Sequence, residues 1–186
     1  MRPTTFRTAD GLRESREQRI GHFIARYLET LDDGRLDAVL VVARSSQSPV
    51  ARALISASGA MVARGLEARI ILGPEEAELE SWPCGEAMDT LVREVRVVRD
   101  PRLLESHEQI VLGGEGVWFG DSMRRDPLQR DAYESFSPHD AAAARLARSM
   151  FERLWQLTLP LYPRAVGSIP PAACTDSSSP RIYRGG

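Results

Sequence analysis

Residues 36–72 read LDAVLVVARSSQSPVARALISASGAMVARGLEARIIL. The first eight (36–43) form a nearly continuous, valine-rich apolar run, the pattern of a buried strand. The polar loop Arg44-Ser45-Ser46-Gln47-Ser48 follows. Pro49 suits the first position of a helix, with Ser48 as its cap. Gly65 ends that helix. Residues 67–72, EARIIL, make a second strand. Strand, helix and strand in this order predict a right-handed crossover and parallel pairing. The fold class is α/β.

Outward from this unit, residues 12–32 are expected to form a helix. Ile20, Phe23, Ile24, Tyr27, Leu28 and Leu31 recur at helical spacing as one apolar stripe. Asp32-Asp33-Gly34 ends it. Residues 1–11 are polar, contain Pro3 and are expected to be a flexible arm. Downstream, a loop at 73–85 precedes a helix at 86–93 and a strand at 94–99. Strands at 107–112 and 116–120 flank Gly113-Gly114-Glu115, a hairpin signal. A charged loop (121–131) and a short strand (132–136) lead to a last helix. Ser137-Pro138 is expected to open that helix, which reaches Leu157. Leu146, Met150, Phe151, Leu154 and Trp155 supply its apolar face. The domain spans 12–160, and the Pro-, Ser- and Gly-rich residues 161–186 are expected to be a disordered tail.

The chain has 186 residues, 42% of them apolar, enough for one core. A net charge of −2 excludes the overall footprint of a non-specific nucleic-acid binder. A nucleic-acid partner is therefore not favoured, and a local arginine patch is the one route to it. There is no lysine, so all 24 basic side chains are arginine. No lysine can anchor a phosphate or form a Schiff base. Cys84 and Cys174 lack metal-ligand spacing and read as free thiols in a reducing compartment. No His/Cys/Asp/Glu cluster has metal spacing, so neither metal nor cofactor is expected. No apolar run is long enough to span a bilayer, and residues 1–19 lack the apolar segment of a secretory signal. A cytoplasmic protein is the expectation.

Residues 106–124 read SHEQIVLGGEGVWFGDSMR. This resembles the phospholipase D superfamily motif, His-x-Lys-x4-Asp-x6-Gly-Ser-x-Asn. His107 matches the histidine and Ser122 the serine. Gln109 stands for lysine, Gly114 for aspartate, Asp121 for glycine and Arg124 for asparagine. Residues 51–72 are similar to that family's helix-then-strand run, and MFERLW (150–155) to the end of its last helix. The resemblance covers about residues 36–157 and implies a single-domain mixed sheet flanked by helices.

In that family two histidines act on one phosphodiester, one attacking phosphorus and one protonating the leaving oxygen. The resemblance implies that a single-motif chain builds its site from two copies, as a homodimer. It makes His107 the nucleophile and Glu134 the carboxylate that orients it. Gln109, Ser122 and Arg124 would face the phosphate. A neutral Gln109 cannot offset phosphate charge, and charge stabilisation is usually the largest contribution to catalysis. A degenerate, non-catalytic module is the first reading, binding a phosphate-containing anionic ligand or a protein partner. A phosphodiesterase or nuclease is the alternative, with Arg124 as substitute cation. A second anion site is expected at Arg44, Ser45 and Ser46, which precede a helix N-terminus. A capped turn, or a scaffold binding through its termini, remains an alternative to these.

Overall fold

The computed structural model describes residues 9–31, 38–74, 85–124 and 133–161, with side chains from Arg16 onward. Residues 1–8 of the expected arm, the tail from 162, and Trp82, Cys84, Arg125 and Cys174 lie outside the described residues.

The first helix, α1 (Ala9–Thr30), buries Ile20, Phe23, Ile24 and Leu28 along the predicted stripe. Strand β1 (Ala38–Ala43) is almost wholly buried, as its unbroken apolar run requires. Helix α2 (Pro49–Ala63) opens on proline and closes at Gly65, whose φ of 70° is the left-handed conformation that glycine adopts without strain. Strand β2 (Glu67–Leu72), helix α3 (Glu86–Leu91) and strand β3 (Val92–Val97) follow. Strands β4 (His107–Leu112) and β5 (Gly116–Ser122) form the hairpin, then come β6 (Ser135–Ser137), α4 (Ala141–Leu157) and β7 (Leu159–Pro160).

The strands form one mixed sheet in the order β6-β5-β4-β1-β2-β3-β7. β1, β2 and β3 run parallel, the pairing that the strand-helix-strand order predicts. The hairpin side and β7 pair antiparallel. Residues of α1, α2 and α3 pack with Val39, Val41, Ile70, Ile110 and Trp118 on one face. Residues of α4 pack with Leu40, Val42, Ile71, Val111 and Val117 on the other. A mixed sheet flanked by helices in one domain is the architecture that the sequence implied. Helix α4 is further fixed by stacking: Phe151 and Trp155 lie 5.3 Å apart. The guanidiniums of Arg69 and Arg96 sit over the Trp155 ring at 5.1 and 4.4 Å. Such contacts contribute about 0.5–2 kcal/mol each.

Three expectations need correction. Helix α4 starts at Ala141, because the Asp140 carboxylate accepts the N–H groups of Ala142 and Ala143. Ser137 instead belongs to β6, and His139 lies in the turn between. Leu146 and Met150 do not join the buried face: they are 62% and 41% exposed. Ala144, Ala147, Phe151, Leu154 and Trp155 satisfy the helical period, and Leu146 and Met150 lie about 100° around from it.

Replacing the α4 cap tests the revised start. Asp140→Ala should destabilise the fold by about 1 kcal/mol and Asp140→Asn by less, read from urea denaturation. An alanine variant as stable as the parent would contradict it.

Candidate functional site

His107, Ser122 and the Arg44 loop gather where β1 ends, β4 begins and β5 ends, whereas Gly114 lies in the turn at the other end of the hairpin. Side chains alternate along a strand. On β4, Glu108, Ile110 and Leu112 therefore face α1 and α2, whereas His107, Gln109 and Val111 face the α4 side. His107 pairs with Ser122 but Gln109 with Phe119, so β5 carries one extra residue there. This bulge lets Phe119 pack on the α4 side while Asp121 meets α1.

His107 is exposed at the strand's start. Its Nδ1 lies 2.7 Å from the Gly120 carbonyl oxygen. A carbonyl only accepts, so Nδ1 carries the proton and the neutral ring keeps its lone pair on Nε2. The Tyr133 ring stands edge-on to the imidazole, 6.0 Å between centroids.

Glu134 does not orient His107. Its carboxylate binds Arg19, lies 4.0 Å from Arg16 and accepts the Trp118 indole N–H at 3.1 Å. The orienting contact comes from the Gly120 carbonyl instead. Gln109 is buried, and its Nε2 donates to the Ala147 carbonyl of α4 at 3.2 Å. Arg124 is ion-paired with Glu105 on the surface, not with Asp121. Ser122 is half-buried, and its carbonyl accepts from Arg44 Nη2 at 3.0 Å.

The loop at 44–48 meets an anion, but an internal one. The Arg44 backbone N–H donates to Glu108 Oε1 at 2.9 Å. Ser46 and Ser48 are buried, and Ser45 is half-buried, its carbonyl accepting from the Ser48 N–H. Glu108 is 2% exposed. Burial pushes its carboxyl above the usual range, and the Arg44 N–H and charge, Ser48 and Arg16 oppose that rise. Gly73 closes the loop from below: a Cβ there would meet the Arg44 carbonyl oxygen at 2.3 Å. Asp121, also buried, accepts the Tyr133 N–H at 2.9 Å and lies 3.9 Å from Arg16. Residue spacing does not single out Glu108 or Asp121 as site residues. Glu108 does carry a signal: it falls in register with Ile110 and Leu112, on the buried face of a strand.

The result is a cluster of three arginines (Arg16, Arg19, Arg44) and three carboxylates (Glu108, Asp121, Glu134), balanced within the chain. His107 adjoins it through Ser122, its β5 partner, whose carbonyl accepts from Arg44. A cavity of about 850 Å³ lies between α1 and the β4–β5 hairpin; Arg19 lines it, and neither His107 nor Gln109 does. Among the described residues no group of His, Cys, Asp and Glu is placed to hold a metal ion. No helix among them is long and apolar enough to cross a membrane.

No protein-family model matches the sequence, and no curated protein does. Solved structures give two likenesses. One is Nuc from Salmonella typhimurium, a phospholipase D family member: TM-score 0.48 at 12% identity, over 74% of this chain and 89% of that one. The other is TrmBL2, an archaeal chromatin protein whose structure shows a mode of DNA binding: TM-score 0.46 at 13% identity, over 75% of this chain. This chain spans 50% of TrmBL2's length. Identity this low transfers no residue's role.

Glu108 gives a pH signature. A raised carboxyl value favours the protonated form in the folded state. Its contribution to stability is complete below the unfolded carboxyl value and is lost as pH rises through the folded one. Glu108→Gln should therefore gain on the parent, in denaturant-measured stability, as pH climbs from the ordinary carboxylate range to neutrality. A stability difference that stays flat across that window would contradict the assignment.

Proposed function

We propose that this chain is a degenerate, non-catalytic phospholipase D-like module that works by binding, as a homodimer, a protein partner or an anionic ligand. One observation carries the reading. The residue at the motif's lysine position, Gln109, is neutral, buried, and hydrogen-bonded to the Ala147 carbonyl. It has neither the charge nor the exposure to grip a phosphate. Arg124, the substitute cation, is held by Glu105. Arg16 and Arg19 sit among internal carboxylates, while Arg44 donates its backbone N–H to Glu108. Of this cluster, Arg44 reaches Ser122, the β5 residue paired with His107, and its Nη2 is engaged there by the Ser122 carbonyl. Phosphoryl transfer is accelerated chiefly by positive charge placed on the phosphate oxygens, and neither the neutral Gln109 nor the Glu105-bound Arg124 supplies it.

One feature favours the alternative, a phosphodiesterase. With Nδ1 donating to the Gly120 carbonyl, a neutral ring at this exposed residue carries its lone pair on Nε2, the form a nucleophile needs. Arg124 would then have to leave Glu105 for the substrate.

Hydrolysis of bis-p-nitrophenyl phosphate and nicking of plasmid DNA separate the two readings. The module should show no turnover above buffer, unchanged in His107→Ala, and should sediment as a dimer. Turnover lost in His107→Ala, and reduced about 10²–10³-fold in Arg124→Ala, would establish the phosphodiesterase instead.

A further inference from the structure

Five large apolar side chains stand out as exposed among the described residues: Tyr133, Leu146, Met150, Leu157 and Leu159. All but Tyr133 lie on α4 or just after it. Leu146 is 62% exposed, Met150 41% and Leu157 64%. With Arg153 between them, their spacing is four, three and four residues. That is the a/d repeat by which one helix packs against another. The opposite side of α4 is already buried on the sheet through Phe151, Leu154 and Trp155. The helix thus has two apolar faces, and the described residues cover one of them.

The charge of the outer face has one sign. Arg153 sits inside the apolar seam and Arg145 beside it, both exposed. Neither has an ion-pair or hydrogen-bond partner among the described residues. The one carboxylate of α4, Glu152, is turned away and bound to Arg69. An arginine within an apolar seam calls for a carboxylate across it, since guanidinium and carboxylate pair bidentately. A second copy of α4 packed on this seam would bring Arg153 and no free acid.

We propose that the outer face of α4 docks an acidic amphipathic helix of a partner protein. The partner's leucine-type side chains would pack on Leu146, Met150 and Leu157, and a carboxylate from its own seam would pair with Arg153. This goes beyond the reading given above, and it holds or fails whether or not His107 is reactive.

The probe is a fluorescently labelled synthetic helix with leucine at a and d, glutamate at e and g, and one glutamate in the seam. Its control carries lysine for every glutamate. Both are titrated against the full chain by fluorescence anisotropy. The acidic peptide should bind saturably, and the lysine peptide about tenfold more weakly or worse. Arg153→Glu should reverse that preference, and Leu146→Ser with Leu157→Ser should weaken the acidic peptide by about tenfold. These substitutions are on the surface, so thermal unfolding of the variants should match the parent. No saturable binding, or equal binding of the two peptides, would overturn the proposal. So would a dimer that Leu146→Ser converts to monomer in sedimentation equilibrium, because the occupant would then be a second copy.

Discussion

Glu108 lies at one end of the sheet with almost no contact with water, and its carboxylate accepts the backbone N–H of Arg44. Taking a carboxylate out of water costs several kcal/mol unless charge and hydrogen bonds offset it. Much of the surrounding structure supplies that offset. The loop after β1 turns its N–H inward, the N-terminal end of α2 brings Ser48, and Arg44 and Arg16 supply positive charge. Gly73 permits the approach, since no larger residue fits over the Arg44 carbonyl. The contact ties β1, β4 and the start of α2 together and fixes where Arg44 can reach.

That constraint decides the chemistry of the site. A loop at a helix N-terminus after a parallel strand is a ready place for an external phosphate. Here the chain's own carboxylate takes that role. Arg16 and Arg19 are likewise held by Asp121 and Glu134. The motif histidine lies on the opposite face of β4 from Glu108, and Arg44 reaches the backbone carbonyl of its β5 partner, Ser122. At the histidine position stands an imidazole oriented by a carbonyl. The residue two positions on, where the motif has lysine, is the neutral and buried Gln109.

The strand-helix-strand unit, the stripe of α1 and the glycine hairpin are all legible in the sequence. Each rests on local period or turn chemistry that the surrounding fold does not override. Which carboxylate meets which arginine is far less legible. Glu134 reads as a partner for His107, but a one-residue bulge in β5 and the alternation of β4 put the two in different environments. Neither effect has a signature in residue spacing. The start of α4 is ambiguous because Pro138 resembles a helix opener, whereas Asp140 offers the stronger cap. Leu146 and Met150 read as core because apolar residues on two faces of one helix look alike in sequence. Exposure alone separates them.

The proposed function depends on the region around His107 having no grip on phosphate. Inorganic phosphate titrated into the full chain, followed through the ring resonances of His107, tests it most directly. The account predicts a small, non-saturating drift, the same in Gln109→Ala. A saturable shift of the His107 ring that disappears when Arg124 or Arg44 is replaced would contradict it.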